Sequence, residues 1–122
     1  MTKLRLRILL DGGAMLGPGK ADLLEGIRAT GSIAAAGRRM GMSYKRAWML
    51  VEEMNAAFAE PVVASIRGGA KGGGAQLTGR GEEVLRLYRG AEAAAERASA
   101  GHVAALTAML SAAGAGDMSG QK

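Results

Sequence analysis

The 122-residue chain carries 16 lysines and arginines against 11 acidic residues, and this net charge of +5 favours an anionic partner. It contains no cysteine and one histidine, which excludes disulfides and thiolate metal sites and leaves too few ligands for zinc. No apolar run reaches the roughly 18 residues of a membrane span, and the N-terminus lacks the apolar centre of a signal peptide. We therefore expect a cytoplasmic protein.

The first predicted elements are a strand and a helix. Residues 3–10 alternate basic and apolar side chains, and this period of two is typical of a half-buried strand. Glycine-rich breakers follow the strand. A stripe of leucine and isoleucine then predicts a helix over residues 20–30, and Gly31 stands where a C-terminal cap residue is expected.

Residues 31–48 have the pattern of two short helices joined by a tight turn. Ser32 and Ser43 are each placed to cap a helix, and Gly41 lies where the chain must turn. The second helix is predicted over residues 44–58, with apolar residues at three- and four-residue steps and cations in its first turn. Such a helix-turn-helix is typical of DNA-binding proteins, whose second helix enters the major groove by its N-terminal end.

The pattern after the second helix predicts a hairpin, a long helix and a tail. Residues 62–66 and the return strand 75–77 flank a glycine-rich loop with two cations and no acid, a hairpin of the kind called a wing. A last helix follows and becomes alanine-rich. The predicted fold class is mainly α with a small β-hairpin, a winged helix-turn-helix with an N-terminal strand and a long C-terminal helix. Residues 1–100 would form this domain, 101–113 a helical extension and 114–122 a disordered tail.

Candidate DNA contacts lie at the start of the second helix, at the end of the first helix and in the wing. Cationic and hydroxyl side chains there can donate hydrogen bonds to phosphates or to guanine edges. The predicted DNA-binding residues are Ser43, Tyr44, Lys45, Arg46, Arg38, Arg39, Arg67 and Lys71. For Tyr44, Arg38 and Arg39 a solvated surface role fits equally well, and Trp48 is expected to pack against the wing or the first strand. A nucleotide phosphate loop is excluded, because no Lys-Ser/Thr pair follows the glycines.

These residues resemble the N-terminal domain of ModE-type molybdate-responsive regulators, which contains a LysR-type helix-turn-helix. The resemblance rests on residues 42–48, on residues 53–55 and on the glycine run 68–74, and it covers about residues 4–95. It implies that the domain binds operator DNA as a homodimer whose last helix pairs the two subunits. Full-length members bind molybdate in C-terminal domains, and this chain ends before such a domain. The resemblance therefore implies DNA binding and does not extend to molybdate sensing.

The dimer surface is expected on the last helix, because small residues allow close helix approach, although part of its apolar stripe must cover the domain's own core. The predicted dimerisation residues are Leu85, Tyr88, Ala91 and Ala95. The sequence contains no paired-carboxylate, Ser-His-Asp or Cys-His arrangement, so we expect no enzymatic activity. We also expect no cofactor and no metal, and molybdate as a ligand has no support in the sequence.

The sequence thus predicts a homodimeric, sequence-specific transcriptional regulator that binds double-stranded DNA through residues 43–58 and the wing 67–76. Two alternatives remain open. One is a protein-interaction module of the same fold that has lost DNA binding. The other is a regulator that responds to molybdate through a partner protein.

Overall fold

The computed structural model describes residues 2–66 and 74–112. In chain order its elements are β1 (Ile8–Leu9), β2 (Met15–Leu16), α1 (Pro18–Thr30), α2 (Ile33–Arg39), α3 (Tyr44–Ala57), β3 (Val63–Ile66), β4 (Gly74–Leu77) and α4 (Gly79–Ala108). Within these residues, no helix combines the length and the apolar character needed to cross a membrane. The predicted boundary at residue 100 lies inside the continuous helix α4, and the predicted tail 114–122 lies outside the described residues.

The predicted fold class, a mainly α winged helix-turn-helix with one small β-hairpin, is wrong. The described residues instead form four α-helices and two separate two-stranded antiparallel sheets, β1 with β2 and β3 with β4. The predicted N-terminal strand over residues 3–10 is reduced to β1, which pairs with the segment that directly follows it. Gly12 and Gly13 explain the difference, because their positive φ angles of 86° and 96° turn the chain back on itself.

Side-chain oxygens begin three of the helices. Ser32, Ser43 and Thr78 precede α2, α3 and α4, and each accepts a hydrogen bond from the amide three residues on, at 3.0, 3.1 and 3.0 Å. Gly31 ends α1 and Gly41 lies in the turn between α2 and α3, with φ angles of 73° and 72°. The predicted caps and turn are confirmed.

One hydrophobic core joins the helices to the second sheet. Its largest fully buried side chains are Tyr88, Leu23, Leu24, Ile27, Met54 and Val62. Asn55 connects α3 to β3, because its side-chain oxygen accepts hydrogen bonds from the amides of Val62 and Val63 at 2.8 and 3.1 Å. The Ala75 amide donates to the Gly31 carbonyl at 3.0 Å and holds β4 against the end of α1. These contacts fix the position of α3 on the body of the protein.

Two adjacent residues fasten α4 to the rest of the chain. The Tyr88 hydroxyl donates a hydrogen bond to the Leu6 carbonyl at 2.8 Å, which holds the N-terminal segment. The Arg89 guanidinium lies 2.8 Å from Asp22 and 2.9 Å from Glu25, both on α1. The hydrogen bond to Glu25 is the main reason that the pKa of Arg89 lies above its usual value. Arg89 therefore serves a structural role.

Candidate nucleic-acid interface

The face of α3 that points away from the core carries aromatic, apolar and cationic side chains. Tyr44, Trp48 and Met49 are 57%, 44% and 46% exposed. Lys45 and Arg46 are exposed beside them in the first turn of the helix. Because residues four apart lie on one helix face, Tyr44 and Trp48 are neighbours on this surface. The face can therefore contact both anionic and apolar groups of a partner.

The cations around the α2–α3 turn differ in ion pairing from Lys20 and Arg28 on α1 and from Arg80 and Arg89 on α4. Among the described residues Arg86 and Arg97 on α4 are unpaired as well. In the described part of the chain, the cations that form ion pairs are Lys20, Arg28, Arg80 and Arg89. Arg38 and Arg39 end α2, Lys45 and Arg46 begin α3, and all four are exposed. None of these four forms an ion pair with another described residue. They can therefore bind an anion without first breaking an internal salt bridge.

Of the predicted contact residues, Ser43 also caps a helix and Arg39 lies near carboxylates. Ser43 Oγ accepts the amide hydrogen of Arg46 at 3.1 Å as the cap of α3. Since a hydroxyl can donate while it accepts, the cap leaves Ser43 able to donate to a phosphate. Arg39 lines a small cleft together with Asp22 and Glu25, so nearby carboxylates partly offset its charge.

Six of the eight predicted DNA-binding residues are described, and they occupy consecutive helix ends. These six are Arg38, Arg39, Ser43, Tyr44, Lys45 and Arg46. The predicted wing contacts Arg67 and Lys71 lie outside the described residues.

The predicted packing of Trp48 against the wing or the first strand stays a prediction, because residues 67–73 lie outside the described residues. The buried positions of α3 are Ala47, Leu50, Val51 and Met54. Position 48 lies off this stripe, so the indole faces outward and is 44% exposed.

The four predicted dimerisation residues do not share one environment. Leu85 and Tyr88 are only 2% and 1% exposed, since both belong to the chain's own core. Ala91 is exposed and Ala95 is half-buried further along α4. The pairing of two subunits stays a prediction, and the surface available for it begins at Ala91.

A cleft of about 340 Å³ adjoins the start of α3 and was not predicted from the sequence. Its cationic lining residues are Arg5, Arg7, Lys20 and Arg46, and no acidic residue of the described part of the chain lines it. Sequence reasoning assigned Arg5 and Arg7 to the solvated side of a strand. Only the packing of the N-terminal segment brings them near α3. In the described residues, no group of three or more histidine, cysteine or acidic side chains is arranged to hold a metal ion.

Comparison with known proteins finds no matching family model. The chain is 48% identical over 81 residues to the molybdenum-pterin-binding protein MopB of Rhodobacter capsulatus. The aligned region covers 66% of this chain and 30% of that protein. It is 39% identical over 88 residues to the molybdenum transport protein ModE of Azotobacter vinelandii, covering 72% and 33%. It is also 39% identical over 71 residues to the DNA-binding transcriptional dual regulator ModE of Escherichia coli, covering 58% and 27%. The chain thus spans about a third of the length of these curated relatives.

These comparisons overturn the assignment of the chain to the N-terminal DNA-binding domain of ModE-type regulators standing alone. The relatives also include molybdenum-pterin-binding proteins, MopB at 48% and MopA at 39% identity. Part of the motif that suggested regulators is structural, because Ser43 caps α3 and Ala47 is buried beneath it. Such residues follow the local fold and do not by themselves distinguish one kind of protein from another. The relatives are transcriptional regulators and molybdenum proteins, and their names describe no enzyme.

Proposed function

We propose that this chain acts in molybdenum-linked control of transcription and that the exposed face of α3 contacts double-stranded DNA. The observation that carries the proposal is the group of four exposed cations, Arg38, Arg39, Lys45 and Arg46, none of which is ion-paired within the described residues. The names of the relatives, which include a DNA-binding regulator and molybdenum proteins, support the same role.

Helix α3 has the charge distribution expected of a helix that enters a major groove by its N-terminal end. Lys45 and Arg46 lie in its first turn, where the helix dipole adds partial positive charge. Glu52 and Glu53 lie about two turns later, so their carboxylates are held away from the phosphates. In this arrangement Lys45 and Arg46 donate to guanine edges or phosphates.

The other proposed contacts follow from exposure and chemistry. Ser43 donates to a phosphate, and Arg38 holds the flanking backbone. Tyr44 and Trp48 offer apolar ring surface to the methyl groups of thymine. Arg67 and Lys71, which lie outside the described residues, are proposed as further phosphate contacts. As a homodimer, the protein would bind two half-sites about one helical turn apart, on the order of 34 Å.

The test is a fluorescence polarisation titration of genomic or operator DNA fragments at two salt concentrations. Lys45→Ala combined with Arg46→Ala removes two proposed contacts, and alanine maintains the helix. We expect this variant to lose at least about tenfold in affinity and to show a salt slope smaller by roughly 1 to 2. The control is Arg86→Ala combined with Arg97→Ala, which removes equal charge from exposed positions of α4. A folded Lys45/Arg46 variant that binds as tightly as the wild type would contradict the proposal.

A second candidate is a regulator that responds to molybdate through a partner protein and does not itself bind DNA. The similarity to MopB and MopA, both named as molybdenum-pterin-binding, favours this candidate. In the same titration, wild-type polarisation that does not change with DNA at either salt concentration would select it. Heat-denaturation scans with and without molybdate then show whether the chain binds the oxyanion itself, since a ligand of the folded state raises the midpoint.

A further inference from the structure

The cleft between the N-terminal segment, the start of α1 and the start of α3 collects positive charge. It is lined by Arg5, Arg7, Lys20 and Arg46, and within residues 2–66 and 74–112 no carboxylate lines it. Lys20 is already engaged, because its Nζ donates to a backbone carbonyl at 2.8 Å and lies 3.3 Å from the carboxylate of Glu53. The three arginines have no such partner, since none of them forms an ion pair among the described residues. The cleft therefore has three guanidinium groups available.

Arg7 lies beside the N-terminal end of α1. A methyl group added to Gly17, the residue before this helix, would lie 3.5 Å from Cγ of Arg7. Among the described residues no side chain caps the start of this helix at Pro18, so the amides of its first turn have no side-chain acceptor there. These amides and the helix dipole add to the positive potential that the arginines create.

Arg89, whose guanidinium group has a structural role, is fully ion-paired. Arg89 is held by the carboxylates of Asp22, Glu25 and Glu92 at 2.8 to 3.1 Å. Arg5, Arg7 and Arg46 line one cleft whose described lining contains no carboxylate, although Arg5 also borders the neighbouring groove lined by Asp22, Glu92 and Glu96. Like charges held together repel unless an anion lies between them. In the described lining of the cleft, no carboxylate is therefore present that could pair with these three guanidinium groups.

We propose that this cleft binds a tetrahedral oxyanion, held by charge-assisted hydrogen bonds from Arg5, Arg7 and Arg46. Two sources supply that chemistry. One is a phosphate of the DNA backbone beside α3, and this source rests on the proposed function. The other is a free oxyanion such as molybdate or inorganic phosphate, which binds independently of DNA.

The test uses the full chain and the double variant Arg5→Gln, Arg7→Gln. Both side chains are exposed, so the fold should survive, and circular dichroism checks that it does. The matched control is Arg86→Gln combined with Arg97→Gln, which removes the same charge from α4. One arm measures heat-denaturation midpoints in molybdate, in phosphate and in chloride at equal ionic strength. The other arm measures the salt slope of DNA binding.

Two results support the cleft. If molybdate or phosphate raises the midpoint of the wild type and the control but not of the Arg5/Arg7 variant, the ligand is a free oxyanion. If the midpoints do not respond and the variant's salt slope falls by roughly 0.9 for each phosphate that the arginines no longer neutralise, the ligand is a backbone phosphate.

A folded Arg5/Arg7 variant that matches the wild type in both arms overturns the proposal. If Lys45 and Arg46 matter for DNA while Arg5 and Arg7 matter in neither arm, only the cleft proposal fails. If the wild type binds no DNA, the proposed function fails, and the midpoint arm alone decides whether the cleft binds an oxyanion.

Discussion

Gly81 and Gly90 lie in the same helix but in opposite environments. Gly81 is buried in the first turn of α4, where an added Cβ would collide with the backbone carbonyl oxygen of Val62. That carbonyl also accepts the amide of Thr78 at 3.0 Å, so it is not free to move. Gly90 is exposed, and an added Cβ there meets nothing within 4 Å. The absence of a side chain is therefore required at one position and not at the other.

Gly81→Ala should lower the free energy of unfolding by about 1–3 kcal/mol, because the start of α4 must shift away from Val62. Gly90→Ala is the matched control and should raise it by roughly 0.5–1 kcal/mol, since alanine is the better helix former. Urea unfolding followed by circular dichroism measures both. A destabilisation of equal size in the two variants would refute the contact argument.

At the scale of elements, the N-terminal segment is held on α4 by hydrogen bonds at two positions of the helix. The Tyr88 hydroxyl donates to the Leu6 carbonyl at 2.8 Å, and the hydroxyl of Thr107, which donates to the Val103 carbonyl, accepts from that of Thr2 at 3.0 Å. Burial raises the pKa of Tyr88 above its usual value of 10.0, and the negative charge of Glu92 raises it further. These contacts also position Arg5 and Arg7, and they therefore help to form the lining of the proposed oxyanion cleft.

Tyr88→Phe should cost about 0.5–1.5 kcal/mol at neutral pH, since the Leu6 carbonyl loses its donor. The folded state also holds the tyrosine proton more tightly than the unfolded chain does. This contribution is therefore complete below pH 10 and is lost as the pH rises through the raised pKa of the folded state. Above pH 10 the wild type should lose stability more steeply than Tyr88→Phe. Chemical denaturation from pH 7 to 11 tests this, with Tyr44→Phe as the control, and parallel profiles for wild type and Tyr88→Phe would contradict it.

For the whole molecule, the distribution of charge matters more than the net value of +5. The ion pairs of the described residues tie α1 to α3 and α4, and others lie along α4 or join it to Glu60. Unpaired cations of the described residues are most concentrated around the α2–α3 turn and in the adjoining cleft, although Lys3, Arg86 and Arg97 are unpaired as well. Such a separation would orient an approaching polyanion toward the start of α3. The far half of α4 is alanine-rich and exposes Leu106, and Met109 just after the helix is exposed as well.

Two copies should associate through the alanine face of α4 that contains Ala91 and Ala95. Because these residues are four apart, they share one helix face, and a glutamate at each would place like charges across a close helix contact. Sedimentation equilibrium should give twice the 12.4 kDa chain mass for the wild type and a single mass for Ala91→Glu, Ala95→Glu.

Ala104→Glu is the control for the dimer, since Ala104 lines the groove between α4 and the N-terminal segment on another face of the helix. It should remain dimeric. If Ala104→Glu alone dissociates the dimer, the interface is the groove and not the alanine face. A wild type that sediments as a single chain would refute the dimer.

The sequence by itself determined the helices, because their signals are local. Caps at Ser32 and Ser43 and the turn at Gly41 were predicted and are confirmed, and the predicted helices over 20–30 and 44–58 correspond to Pro18–Thr30 and Tyr44–Ala57. A cap or a turn depends on residues three or four positions apart, so neighbouring residues are sufficient to predict it.

Tertiary structure alone decided the cleft and the burial of the apolar stripe on α4. The hairpin strands predicted over 62–66 and 75–77 correspond to Val63–Ile66 and Gly74–Leu77. The presence of Arg5, Arg7 and Arg46 in one cleft and the burial of Leu85 in the core depend on contacts between segments that are far apart in the chain. The spacing of cations along the chain shows that positive charge is present, but it does not show which cationic side chains lie close together in the fold. That depends on how the N-terminal segment packs across α4 and α1, which brings Arg5 and Arg7 to the start of α3.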